Sequence, residues 1–413
     1  MIKLNFDVKR HTLANGLEVI TINKDTQIAA INIGVKVGAL YENMKEKGIS
    51  HFIEHTLFKG TTSRSDEELN EQLEDLGGEY NAYTDYDATV YTISCLMEEF
   101  KNAVELLGDM IINPAFDEEE IEKERGVIIS EIKMSKDDVE DFSFKNVNRA
   151  AFINSPLKYE VTGLEENVSR FTREEILTYY TKHYTPENSI ITMVSSLSHE
   201  EAIKLVEEHF NNWSGNKAEA IEIIKEKNKE IIETSYKKDI EQSTIVYLYT
   251  FYDLEKSDEL PLRILNHRLG ESSNSLLFRE IRENRGLAYD IYTHLEITNN
   301  IKTLYIYTAV GEENINETIE AIDEVLKNLV EGKIQIVDKD LNIMKKVHKT
   351  AVISTLEDSA ELCNYMLHQA LEDEDIFEFV KDMDRLNNLD TIKINEVGKK
   401  VLKSPTIHIL KSN

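Results

Sequence analysis

The chain has 413 residues, with 47 Lys+Arg against 77 Asp+Glu and a formal net charge of −30. That length allows two or three domains, and a 41% hydrophobic content allows a sizeable core. So acidic a balance argues against nucleic acid as a partner, and the lack of any run of about 20 apolar residues argues against a membrane partner or span. The acid excess is chiefly a solubility device, although an acidic enclosure would also attract basic peptides. The start, Met1-Ile2-Lys3-Leu4-Asn5-Phe6-Asp7, has neither the apolar stretch nor the small-residue cleavage site of a secretory signal. Cys95 and Cys363 are the two cysteines. Neither stands in a metal-binding spacing, and they read as reduced, buried thiols of a cytoplasmic protein.

In chain order, Asn15-Gly16 marks a hairpin turn before a strand over 17–23. Ile31, Ile33, Val35 and Val37 alternate with Asn32, Gly34 and Lys36, the spacing of a half-buried strand. A charged loop over 41–47 leads into Gly48-Ile49-Ser50-His51-Phe52-Ile53-Glu54-His55-Thr56-Leu57-Phe58-Lys59-Gly60, whose bounding glycines and apolar spacing predict a short buried helix. A helix over 66–76 stops at Gly77-Gly78. Strands over 79–84 and 88–96 follow, then a helix over 98–112 halted by Asn113-Pro114. Asp117 opens a long helical stretch with Glu118-Glu119-Glu120 in its first turn, where the helix dipole favours negative charge. Helix over 172–183, strand over 189–195 and helix over 199–212 complete this part.

A charge-rich connector then precedes a second series. It has strands over 231–236 and 244–252, helices over 258–269 and 275–283, and strands over 287–297 and 302–310. Long helices over 314–330 and 337–354, further helices to 402 and a last strand over 406–411 end it. Both series run β-β-α-α-β-β-α-α, which reads as a duplicated α+β unit, each copy an antiparallel β-sheet covered by α-helices. The expected division is an N-terminal domain over 1–215, a connector over 216–230 and a structurally similar C-terminal domain over 231–413.

His51-Phe52-Ile53-Glu54-His55 carries the chemistry. Residues four apart on a helix differ by about 40° around the axis, so both imidazoles face one way and can hold one zinc ion. Glu54 beside them is placed to activate a zinc-bound water. This is the inverted form of His-Glu-x-x-His, and only the first series has it. Without a metal, two His and a Glu in an apolar helix would be costly. A third protein ligand must come from elsewhere. Glu124 and Glu131 are seven apart on the long helix, beside its apolar Ile121, Ile128 and Ile132. One of them would bind zinc and the other orient a ligand, although ordinary surface acids on a Glu-rich helix can share that spacing.

Three stretches, GISHFIEHTLFKGT from Gly48, LGGEYNAYT from Leu76 and NPAFDEEEIEKERGVIISEI from Asn113, together resemble the inverzincin peptidases of the pitrilysin/insulinase family. The likeness covers nearly the whole chain and is nearest to the short-chain branch that includes mitochondrial processing peptidase and bacterial processing proteases. It implies that His51, His55 and Glu131 bind Zn²⁺, that Glu54 is the general base and that Glu124 supports the site. It implies further that substrate adds as a strand along the segment holding Asn81 and Ala82, by main-chain recognition. FREIRENRGLAY from Phe278 is similar to the family's Arg/Tyr element, implying Arg282 on a substrate carbonyl and Tyr289 donating to the developing oxyanion. Where relatives carry a glycine-rich turn just upstream, this chain has Leu269-Gly270-Glu271-Ser272-Ser273-Asn274.

The function expected is that of a zinc metalloendopeptidase of unfolded peptides or presequence-like segments, basic ones favoured. A homodimer is expected, with each active site completed in trans by Arg282 and Tyr289 of the second copy. The rival expectation is a non-catalytic assembly subunit, which relatives lacking the motif residues become. Here the ligands, the base and the Arg/Tyr pair are all present in one chain.

Overall fold

The computed structural model describes residues 4–215 and 221–413. The first three residues of the N-terminal stretch, and 216–220 of the expected connector, lie outside the described residues. No helix among the described residues is long and apolar enough to cross a membrane.

The first series folds as β1 (Phe6–Thr12), β2 (Glu18–Lys24), β3 (Ile28–Val35), α1 (Ile49–Thr56), α2 (Asp66–Asp75), β4 (Glu79–Thr84) and β5 (Thr89–Leu96). It continues through α3 (Phe100–Ile112), α4 (Glu118–Asp137), α5 (Val139–Ala151), α6 (Glu165–Val168), α7 (Arg173–His183), β6 (Ser189–Ser195) and α8 (His199–Phe210). The second is β7 (Ile231–Lys237), β8 (Ser243–Thr250), α9 (Glu259–Asn266), β9 (Ala288–Ile297), β10 (Lys302–Val310) and α10 (Ile315–Val330). It ends with α11 (Asp338–Glu357), α12 (Ser359–Leu371), α13 (Glu378–Asn388), α14 (Thr391–Val401) and β11 (Thr406–Ser412).

One sheet runs β1-β2-β6-β3-β5-β4 and the other β7-β11-β8-β10-β9. The second therefore repeats the first without β1. Pairing is antiparallel throughout except for one parallel pair in each sheet, β2 with β6 and β7 with β11. The sheets are thus the mainly antiparallel ones expected, each with one parallel pair because β6 and β11 return to their sheets after long helical excursions.

Local signals explain most boundaries. Ser65 caps α2 in a capping box with Glu68, and Asp117 accepts from Glu119 N and Glu120 N at the start of α4. The long helix expected from Asp117 breaks at Asp138, which ends α4 and caps α5 through Asp141 N. The two helices expected over 258–269 and 275–283 differ more. After α9 the chain widens into π-helical turns at His267–Glu271 and again at Phe278–Asn284, where Arg285 N reaches Glu280 O five residues back.

β3 was expected to be half-buried, but Asn32 is buried along with its apolar neighbours. The cause is an exchange of helices between the halves. Leu362, Met366, Leu367 and Ala370 of α12 pack on Ile20, Ala30, Val90 and Val194 of the first sheet. A Cβ on Gly34 would lie 2.9 Å from Leu371 Cδ1, so glycine lets α12 lie against β3. In return Val147 and Ala151 of α5 pack on Val246, Leu248, Tyr305 and Tyr307 of the second sheet. Each sheet thus has its own helices on one face and a helix of the other half on the opposite face. The segment after residue 220 is also tied down, since Glu226 accepts from Ile153 N, Asn154 N and Ser155 N.

Candidate metal centre

α1 is set between a folded core and an open face. Ile49, Phe52, Ile53 and Thr56 are buried in the first half's core. Gly48 begins the helix at φ 100°, a left-handed conformation that suits glycine. Opposite its free N-terminal amides stands Glu42, whose carboxylate accepts from Gly48 N and Ser50 N, each at 2.9 Å. Burial pushes the Glu42 carboxyl up to about 7, against those two hydrogen bonds and the nearby Lys47 charge. α4 packs on α1 through Ile121, Ile128 and Ile132. Arg125 fastens it, donating to Val168 O and Phe171 O while its guanidinium lies 5.5 Å from the Phe52 ring centre.

This packing gathers His51, His55 and Glu131, with one ligand atom from each all within 4.8 Å of one another. Glu131 Oε2 is 3.8 Å from His51 Nε2 and 3.5 Å from His55 Nε2. Those gaps are too long for hydrogen bonds. The shorter reaches, and the longer slightly exceeds, the roughly 3.3–3.5 Å between neighbouring ligands of a tetrahedral zinc with bonds of about 2.0–2.1 Å. His55 Nδ1 donates to Glu124 Oε2 at 3.0 Å, which leaves Nε2 as the lone-pair nitrogen facing His51 and Glu131. Lys59 Nζ holds the other oxygen of Glu124 at 3.1 Å.

The charges suit a cation. Burial and the neighbouring His55 push His51 down to about 4, so it stays neutral and able to ligate. Burial also lowers His55, but the Glu124 bond and the charges of Glu131 and Glu54 outweigh it and raise its proton affinity. Burial raises Glu124, and its bonds to His55 and Lys59 more than reverse this. The donor set of two imidazoles and one carboxylate, with one imidazole oriented by a second carboxylate, fits zinc.

Glu54 is 9% exposed and accepts from Thr84 Oγ1 at 2.8 Å. Burial raises its carboxyl, partly offset by that bond. Thr84 ends β4, the outer strand of its sheet. Tyr80 and Ala82 pack on the core side, and Thr84, two residues on, faces α1 with them. Thr92 Oγ1 donates to Asn81 O from β5. In a trans peptide the Ala82 N–H therefore points to the open edge, where Asn81 Oδ1 covers it at 2.9 Å.

Arg282 and Tyr289 are not brought to this cluster. The Arg282 guanidinium lies 4.6 Å from the Phe278 ring centre and 4.9 Å from that of Tyr289, and Tyr289 is 78% exposed. Among the described residues no hydrogen bond or ion pair links either side chain to the histidines. The sequence reading missed Glu42, Lys59 and Thr84. Thr84 was open to discovery through its period-two spacing from Ala82. Lys59 and Glu42 carried no such signal, because their partners meet them only through folding.

Two α+β units, with an inverted His-x-x-Glu-His helix in one and a carboxylate delivered by a second helix, have the build of a zinc hydrolase. Residues 18–164 match the insulinase model of peptidase family M16, and residues 170–346 match the model described as the M16 peptidase inactive domain. The uncharacterized zinc protease YmxG of Bacillus subtilis is 31% identical over 352 residues, 85% of each chain. Subunit 1 of the bovine mitochondrial cytochrome b-c1 complex is 32% identical over 203 residues, 49% of this chain and 42% of that one. A protease from Helicobacter pylori has the same fold, with a TM-score of 0.90, 21% identity and coverage of 99% and 100%. The chain belongs to the insulinase family of peptidases.

Proposed function

We propose that this protein is a zinc metalloendopeptidase that cuts unfolded peptides and presequence-like segments. The convergence of His51, His55 and Glu131, with the Glu54 carboxylate beside them, carries this reading. His51 Nε2, His55 Nε2 and a carboxylate oxygen of Glu131 would hold zinc. Bound there, zinc supplies Lewis acidity that polarises the scissile carbonyl and eases ionisation of water. Glu54 takes the proton of the attacking water and passes it to the leaving amine. Its burial strengthens it as a base, and Thr84 fixes one of its oxygens so that the other is free.

Substrate adds along β4, where the Ala82 N–H exchanges Asn81 Oδ1 for a substrate carbonyl. Only an extended chain can do this, which selects unfolded peptides. The net charge of −30 favours basic ones. Arg282 and Tyr289 act on the cluster of a second copy in a two-fold dimer, where they steady the substrate carbonyl and its developing charge. Free, buried Cys95 and Cys363 suit the reducing cytoplasm, which we assign as its compartment. A purely structural subunit would need no base poised beside a gathered ligand set.

The test is a mixed peptide library incubated with and without chelator, beside the Glu54→Gln variant. Cleavage should stop with chelator and return with zinc. Glu54→Gln should keep one zinc per chain and lose about 10²–10⁴-fold in rate. Chelator-resistant cleavage, or an active Glu54→Gln, refutes the proposal.

A further inference from the structure

The second half has a cavity beside the elements that correspond to those of the metal cluster. It measures about 430 Å³, within the roughly 300–1,000 Å³ of small-ligand sites. It opens between α9 and α11, the elements that correspond in order to α1 and α4, beside the end of β9, the counterpart of β4. α12 and α13 close its other sides. Leu260, Val352, Leu356 and Phe379 give it an apolar wall.

Its charges do not cancel locally. Lys302 pairs with Glu259 at 2.6 Å, Lys256 pairs with Glu374, and Arg385 pairs with Glu378 at 2.5 Å and Asp382 at 2.9 Å. Two charged groups of the lining are left over. Arg263 makes no ion pair or hydrogen bond among the described residues. The Glu372 carboxylate accepts from Asn299 N at 2.5 Å and has no ion-pair partner among the described residues. Burial, with the charges of Asp87, Glu374 and Asp373, raises Glu372 to about 7, a group that a cationic partner would ionise. Both line the cavity. The Arg263 charge bears on Tyr365 and on His348, whereas Glu372 lies seven residues past Tyr365, about 10 Å along α12. Gln369, one turn below Glu372, adds a hydrogen-bonding amide to the lining.

We propose that this cavity binds a short peptide with free termini, its carboxylate on Arg263 and its ammonium on Glu372. One cation and one half-buried carboxylate left over in the same cavity call for a zwitterion. A cavity of about 430 Å³ has room for a short peptide. The apolar wall takes an aliphatic side chain. The choice of a peptide over other zwitterions rests on the peptidase reading, and the site would then sense that reaction's product. α12 supplies a route for such sensing. Its cavity side carries Tyr365, Gln369 and Glu372, while its Asn364 and His368 meet the Tyr83 hydroxyl of β4 at 2.8 and 2.7 Å.

The experiment is calorimetric titration of the full-length Glu54→Gln protein with alanyl-leucine, its N-acetyl form and its C-terminal amide. The parent protein's cleavage activity is measured separately, so failure of either reading is seen by itself. The free dipeptide should bind at least tenfold more tightly than either blocked form. Arg263→Gln should abolish the discrimination against the amide, and Glu372→Gln the discrimination against the N-acetyl form. Both variants should keep the parent's circular dichroism and zinc content. Equal binding of the three ligands, no binding, or binding unchanged in both variants overturns the proposal.

Discussion

The two halves place equivalent elements at equivalent points and fill them differently. α1 and α9 are each eight residues long, and α4 and α11 are each 20. Counting from each helix's first residue, His51, Glu54 and His55 of α1 correspond to Pro261, Ile264 and Leu265 of α9. On the same count Glu124 and Glu131 of α4 correspond to Met344 and Ala351 of α11. Five groups that can ligate or take protons are matched by five that cannot. The scaffold therefore tolerates either filling, and the chemistry belongs to a few side chains placed on it. The polar cost of Glu54 and Glu124 is met locally by Thr84 and Lys59.

If the ligand set separates the halves, Glu131→Gln should give the largest change. It removes a ligand, so bound zinc and cleavage should fall together, activity by more than about 10³-fold. Zinc analysis beside a peptide assay checks this, and full zinc in an active variant would contradict the assignment.

Next is the question of whether the second half serves the first in another chain. Glu54→Gln and an Arg282→Ala/Tyr289→Phe double variant should each be nearly inactive. Mixed, with exchange confirmed by mass, they should form dimers in which one site is intact, restoring about a quarter of the sites. Failure to recover would place both elements in one chain.

A smaller effect is expected from Glu124→Gln, which leaves the ligands but weakens the orientation of His55. Zinc affinity should drop about 10–100-fold, measured by competition with a chelator. The same change at Met344 should leave zinc affinity where it was.

The smallest effect lies at the seam. Burial and the charges of Asp85, Asp87 and Glu372 push Glu296 up to about 8 from its ordinary 4.5. The folded state then holds that proton more tightly than the unfolded state. Stability contributed here is present at low pH and lost as pH rises from about 4.5 to about 8. Glu296→Gln should therefore be more stable than the parent at pH 8, by about 1–2 kcal/mol, with the gap closing towards pH 4.5. Thermal melts across that range would reveal it, and a gap that widened in acid would show the opposite linkage.

Much of this was legible in the sequence. Asn15-Gly16 gave its hairpin, Ser65 and Asp117 their helix starts, and the spacing of Glu124 and Glu131 on Ile121, Ile128 and Ile132 put both carboxylates on the side of α4 that meets α1. Those features depend on residues a few positions apart, which is the range over which helix and strand periods act. The helix swap was not legible. α5 and α12 are amphipathic helices like others in the chain, and nothing within either one says which sheet it will cover. Only the packing of Leu367 and Leu371 on Gly34, and of Val147 on Val246 and Leu248, decides it. The same holds for the hold of Thr84 on Glu54, 30 residues apart, and of Lys59 on Glu124. Sequence determined which residues have the chemistry to bind metal and move a proton. Tertiary structure decided their distances, their burial and their partners, because desolvation and hydrogen bonding depend on neighbours that come from distant parts of the chain.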